Sequence, residues 1–167
     1  MYLPENYIKL AKFTLEPFWL DIPEESWIQK SAPLFMDIGV IKDQFQLVRP
    51  VENFIRDHYN GVLIKSQLNR FDPGGRIPLH IDSIGLDAGK EAVNPRYYYS
   101  HRVHLILDIN PDIEMIVNDE RLDVENGDLI EYNNLVPHTA VNKSNKYRYM
   151  FTFLCVPKEN LHHFEII

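Results

Sequence analysis

A mainly β fold is predicted by this chain: a sandwich or barrel of antiparallel sheets behind an N-terminal helical preface. Three observations predict it. From Gly61 onward the apolar residues recur with a period of two, which puts alternate side chains on opposite faces of a strand. Turn signals punctuate the runs: Pro73-Gly74-Gly75, Asn110-Pro111, Asn118-Asp119, Asn126-Gly127 and Lys143-Ser144-Asn145. No helical patterns alternate with the strands, which argues against a parallel α/β sheet and for packed antiparallel sheets.

Each element follows from local pattern. Within residues 1–20, Leu, Phe and Trp side chains suit an edge strand lying over the core. Asp21-Ile22-Pro23-Glu24-Glu25-Ser26-Trp27 reads as a helix start, with a capping Asp and acidic residues in the first turn. Ile41–Tyr59 fits a second helix broken near Pro50, with Val51, Phe54, Ile55 and Tyr59 on one face. The predicted strands are Val62–Phe71, Ile77–Asp82, Tyr97–Ile109, Ile113–Val117, Asp128–Tyr132, Pro137–Val141 and Tyr147–Val156. Along the last of these, Arg148, Met150, Thr152 and Leu154 share one face, and Tyr147, Tyr149, Phe151 and Phe153 form an aromatic face suited to packing on helices. The expected organisation is a single domain, 1–167, with the preface at 1–60, the core at 61–157 and a tail at 158–167.

Composition narrows the function. A chain of 167 residues holds one sizeable core, and a net charge of -7 provides no basic footprint for nucleic acid. The opening residues show no signal-peptide pattern, and no apolar run reaches the length of a membrane span. The single Cys155, inside the apolar run Thr152–Pro157, reads as a buried structural thiol in a reducing cytoplasm.

The chemistry-bearing residues are His80, Asp82, His138 and Arg148. Two imidazoles and a carboxylate can occupy one face of Fe(II) and leave the other open for oxygen chemistry. His80 and Asp82, two apart on a strand, point to the same face. A keto-acid chelating the metal still has a second carboxylate, and a guanidinium is suited to hold it in a bidentate fork. His138 and Arg148 flank the turn Asn142–Lys146, and a hairpin there would make them cross-strand neighbours, roughly 5 to 8 Å apart. Arg102 and His104 share one face of their strand, and His101 faces the other way. His162-His163 reads as a solvated pair, and Pro73-Gly74-Gly75 as a turn, since no helix with a Lys follows it.

These residues carry a resemblance. Asn69-Arg70-Phe71-Asp72-Pro73-Gly74-Gly75-Arg76-Ile77-Pro78-Leu79-His80 resembles the entry to the site in the aspartyl/asparaginyl beta-hydroxylase family. Arg102-Val103-His104-Leu105 resembles that family's R-x-H-L strand, and Gly127 to His138, followed by Arg148, resembles its closing segment. The resemblance spans roughly residues 60–157 and implies a double-stranded β-helix, or jelly-roll, core of the kind found in Fe(II)- and 2-oxoglutarate-dependent dioxygenases. It implies Fe(II) on His80 and His138, the 2-oxoglutarate 5-carboxylate on Arg148, support for the cosubstrate's other end from Arg102 and His104, and a polar contact from Asn69. The chain departs from the animal protein hydroxylases by having Asp82 where they have Gly, which resembles the bacterial free-amino-acid hydroxylases and argues against a halogenase. Tyr132-Asn133 stands where the family has Phe-Asp, and the stretch from Ser83 to Ser100 is longer.

The function expected is therefore Fe(II)- and 2-oxoglutarate-dependent hydroxylation of an unactivated C–H bond in an amino acid, free or peptidyl, with O2 as the other cosubstrate and succinate and CO2 as products. Two other classes stay open: a metal-dependent cupin-type isomerase or hydrolase using no keto-acid, and a non-catalytic domain binding a small acid or a partner. Ser83–Tyr99, with Gly85, Gly89, Pro95 and mixed charges, is expected to form a lid over the site, with Arg96 touching a substrate carboxylate.

Overall fold

The period of two is realised as a sandwich of antiparallel sheets. The structure, a computed structural model, describes residues 3–29, 36–39, 45–81 and 99–164. In chain order the elements are β1 (Tyr7–Lys12), β2 (Trp27–Gln29), β3 (Met36–Gly39), α1 (Phe45–Tyr59), β4 (Gly61–Phe71), β5 (Arg76–His80), β6 (His101–Asp108), β7 (Ile113–Val117), β8 (Glu120–Arg121), β9 (Asp128–Tyr132), β10 (His138–Asn142) and β11 (Arg148–Pro157). One sheet has seven strands in the order β1-β9-β6-β11-β4-β3-β2, and the other has four in the order β5-β10-β7-β8. The steps β4–β5, β6–β7, β9–β10 and β10–β11 each carry the chain from one sheet to the other. That repeated switching makes the sandwich a double-stranded β-helix.

β11 runs between β4 and β6 at the centre of the larger sheet and is buried along its whole length. Its alternation sorts two cores. Tyr149, Phe151, Phe153 and Cys155 pack outward with Val103, Leu105 and Leu129 against Val48, Val51 and Ile55 of α1 and against Trp19 and Trp27. Met150 faces inward with Phe71, Ile106, Ile130 and Tyr132, meeting Met115, Val117 and Ala140 from the smaller sheet. Each fully buried Phe contributes about 1.5–3 kcal/mol relative to exposure. Burial also pushes the Cys155 thiol up to about 12, so it stays protonated and inert.

The N-terminal part differs from its local signals. No helix starts at Asp21. The chain makes two 3-10 turns, Phe18–Asp21 and Glu24–Ser26, and then enters β2. Tertiary contacts override propensity here. Both Glu24 carboxylate oxygens accept hydrogen bonds from Arg70, at 2.7 and 2.9 Å, and that guanidinium lies 4.6 Å from the Trp27 ring centroid and 4.4 Å from that of Tyr147. Nor does Pro50 break α1, which runs through it. Pro50 faces solvent, and the burial of Val48, Val51 and Ile55 on the opposite side offsets the missing hydrogen bond. Residues 41–44 lie outside the described residues. The preface is also more than a cover, because β1, β2 and β3 extend the larger sheet at both edges.

Asn142 makes the corner between β10 and β11. Fully buried, its amide nitrogen donates to the Phe71 and Lys146 carbonyls at 3.1 and 2.8 Å, and its side-chain oxygen accepts from the Ser144 N–H and hydroxyl. Its backbone pairs with Gly74 and Gly75 at 2.8 and 2.9 Å, tying the corner to the turn that leads into β5. Asn142→Ala should strand the buried Phe71 carbonyl and cost about 1–3 kcal/mol. Urea unfolding would show this as a lower midpoint with an unchanged slope.

Candidate active site

β5 and β10 pair antiparallel with His80 directly opposite His138, and the imidazole centroids stand 4.3 Å apart. The backbone carbonyl two residues before each histidine orients its ring. His80 Nδ1 is 2.6 Å from the Pro78 carbonyl oxygen, and His138 Nδ1 is 2.9 Å from that of Val136. A carbonyl can only accept, so both Nδ1 atoms donate, and in the neutral rings the lone pair sits on Nε2. That tautomer leaves Nε2 able to ligate a metal, and a hydrogen bond from the other ring nitrogen commonly orients ligating imidazoles. Asp82, the expected third ligand, lies outside the described residues. Among the described residues no three His, Cys, Asp or Glu side chains come together as a metal cluster.

Arg148 begins β11 opposite Phe71, with its guanidinium carbon 4.8 Å from that ring centroid. It is 1% exposed, and none of Nε, Nη1 and Nη2 has a hydrogen-bond partner among the described residues. Burial pulls it down to about 10, with Tyr132 acting the other way, so it is still a cation at neutral pH. A desolvated guanidinium with three unused nitrogens is costly and fits a carboxylate held in a fork. The hairpin predicted from the Asn142–Lys146 turn is not formed. β10 and β11 belong to different sheets, so His138 and Arg148 are not cross-strand neighbours. Period-two patterning gives the face a residue occupies but not the sheet, and the Asn142 corner turns the chain across the sandwich.

The inner face of the larger sheet carries the remaining site residues. Thr152 lies opposite Gln67 on one side and His104 on the other, Leu154 lies opposite Arg102, and Met150 opposite Asn69. Gln67 donates to the Asn69 side-chain oxygen at 2.5 Å, Asn69 donates to Thr152 Oγ1 at 2.6 Å, and Thr152 Oγ1 is 3.2 Å from His104 Nδ1. Tyr132 sits between two histidines, its ring 4.8 Å from His104 and 4.9 Å from His138. Arg102, His104 and Asn69 thus lie where the sequence pattern puts them, on the sheet face that Arg148 also occupies. Gln67, Thr152 and Tyr132 adjoin these candidates and are not singled out by the sequence pattern. Strand parity was the available signal, since Gln67 matches Asn69 and Thr152 matches Arg148.

His101 projects to the opposite face, buried against Glu131, to which it is hydrogen-bonded, with the Tyr59 ring stacked 4.0 Å away. At the other end of the chain His163 stacks on Tyr99 at 3.5 Å. Ser83–Tyr98, including Arg96 and most of the expected lid, lies outside the described residues. No helix among the described residues is long and apolar enough to cross a membrane.

Known proteins share this architecture. The chain is similar in structure to the viral collagen prolyl hydroxylase of Paramecium bursaria Chlorella virus 1, solved as its 2OG complex: 12% identity, 91% of this chain, 96% of that one, TM-score 0.64. It is similar to SnoK, a non-heme alpha-ketoglutarate-dependent carbocyclase from nogalamycin biosynthesis, at 11% identity over 90% of this chain and 80% of that one, TM-score 0.61. A 2OG-Fe(II) oxygenase family oxidoreductase from Burkholderia pseudomallei is 14% identical over 73% of this chain, which spans 66% of it, TM-score 0.54. At such identities the likeness is one of fold. No curated protein matches the chain. In sequence, the profile of the aspartyl/asparaginyl beta-hydroxylase family matches residues 46–157, from the first turn of α1 to the end of β11. Since that stretch is more than half of the chain and includes both imidazoles, the buried guanidinium and most of both sheets, the chain belongs to the aspartyl/asparaginyl beta-hydroxylase family.

Proposed function

We propose that the protein is an Fe(II)- and 2-oxoglutarate-dependent dioxygenase that hydroxylates an unactivated C–H bond of an amino acid, free or within a peptide. The observation that carries this reading is Arg148, a buried cation whose three nitrogens have no partner among the described residues, in a fold that also places two lone-pair-bearing imidazoles side by side. In this reading His80, Asp82 and His138 are the metal ligands. Arg148 holds the 5-carboxylate of 2-oxoglutarate, and Arg102 and His104 support its other end. Asn69 acts through its contacts with Gln67 and Thr152. Iron with 2-oxoglutarate and O2 supplies, when bound, an oxidant strong enough for a C–H bond, with release of succinate and CO2. The chain's part is positioning and dryness. Phe71 packs on the guanidinium of Arg148, which is shielded from water in the folded chain. Peptidyl substrates gain support from the similarity to a collagen prolyl hydroxylase. A reducing cytoplasm suits the buried thiol of Cys155.

The test is succinate release by anaerobically purified protein given Fe(II) and 2-oxoglutarate, screened against free amino acids and short peptides. The expected result is release that needs O2 and is stimulated by one substrate class. Metal-dependent turnover without 2-oxoglutarate would favour the isomerase or hydrolase reading, and binding without turnover the non-catalytic one.

A further inference from the structure

We infer that the ladder Gln67–Asn69–Thr152–His104 sets the tautomer of His104, keeping its proton on Nε2 so that the ring offers an N–H to a carboxylate of the bound keto-acid. The ligand clause rests on the proposed function; the tautomer clause does not. Gln67 and Thr152 are then positioning residues that act through His104.

The ladder crosses three neighbouring strands, β4, β11 and β6, and is buried: Asn69 is 1% exposed, Thr152 1% and His104 4%. Its bonds run in one direction. The Gln67 amide nitrogen donates to the Asn69 oxygen, which turns the Asn69 amide nitrogen toward Thr152 Oγ1, where it donates in turn. A hydroxyl that accepts from Asn69 keeps one hydrogen, which we assign to His104 Nδ1, 3.2 Å away. With Nδ1 accepting, the neutral ring carries its proton on Nε2.

The contrast with the other two histidines gives this arrangement its function. His80 and His138 have Nδ1 on backbone carbonyls, which forces the lone pair onto Nε2 and suits them to a metal. His104 has Nδ1 on a donor and takes the opposite tautomer. A protonated Nε2 cannot ligate a metal and can donate to an anion. The backbone and the ladder thus sort three histidines of one sandwich into two metal ligands and one hydrogen-bond donor. Tyr132, packed between His104 and His138, holds the two kinds of ring apart.

Nitrogen-15 NMR of the histidine rings in the metal-free protein tests the tautomer, with the His104 signals assigned by their loss in His104→Asn. The expected spectrum shows the proton on Nε2 of His104 and on Nδ1 of His138. Thr152→Val, close in volume and a good strand former, should release His104 into a mixture of tautomers, and Thr152→Ser should restore the parent pattern. In Mn(II)-loaded protein, Thr152→Val should bind 2-oxoglutarate about tenfold or more weakly, the loss of one hydrogen bond to a charged group, with Mn(II) affinity unchanged. A parent His104 protonated on Nδ1 would overturn the inference without needing any variant. So would Thr152→Val that keeps both the tautomer and the 2-oxoglutarate affinity. A parent that binds no 2-oxoglutarate would overturn the proposed function and the ligand clause, and the NMR result would still decide the ladder.

Discussion

Arg148→Met is expected to abolish tight binding of 2-oxoglutarate and, at the same time, to raise the melting temperature of the ligand-free protein. In the parent, a guanidinium with no partner among the described residues is sealed among Phe71, Met150 and their neighbours. Its folded value of about 10 lies below the ordinary 12.5, so folding disfavours the charged form. For a base this penalty is present in full at neutral pH and is relieved only as pH rises through about 10. Methionine keeps much of the volume and removes the charge. Replacing buried charges by packed apolar groups can stabilise by about 1–4 kcal/mol, which in a chain of this size is roughly 2–4 °C per kcal/mol. Loss of the charge pair with the ligand costs about 2–5 kcal/mol, or a factor of thirty to several thousand in affinity. Arg148→Lys should recover only part of that, because a point charge replaces a fork. Differential scanning calorimetry with and without 2-oxoglutarate reads both effects: the parent should gain stability from the ligand, and the variant should gain it from the mutation alone. A variant less stable than the ligand-free parent would show that the guanidinium is paired in the resting protein.

Loss of the metal is expected in both His80→Ala and His138→Ala. The two residues form one register pair, and each ring has its tautomer set by the carbonyl two residues before it. Removing either leaves at most one imidazole and a carboxylate, so calorimetric titration with Mn(II) or Ni(II) should show no binding in the range where the parent saturates. Both variants should remain folded, since neither ring belongs to the apolar clusters. Parent-like titration curves from both variants would place the metal elsewhere.

Much of this was legible in the sequence, for a physical reason. Alternation reports which face of a strand a residue occupies, and it separated Arg148, Met150, Thr152 and Leu154 from the aromatic face that packs on α1. It is silent on which sheet a strand joins. The corner at Asn142 therefore reads as a hairpin, whereas β10 and β11 lie in different sheets and Asn142 bonds across to Phe71 of β4. The 3-10 turns near Glu24 were hidden because Arg70, distant in sequence, decides the local conformation. Parity puts Gln67 and Thr152 on the faces of Asn69 and Arg148, but their link to His104 depends on the register of β11 with β4 and β6. Tyr132 stood out only as a departure from a pattern, and its place between two histidines needed the register of β6 with β9.

The central claim is that Arg148 receives the distal carboxylate of a keto-acid whose other end lies at the metal of His80 and His138. The most direct measurement compares 2-oxoglutarate with 2-oxobutyrate, which keeps the chelating end and lacks the distal carboxylate, on Mn(II)-loaded parent and Arg148→Met. The account predicts that the parent prefers 2-oxoglutarate by a factor of thirty or more, and that the variant binds the two acids alike. Equal affinity of the parent for both acids would contradict it.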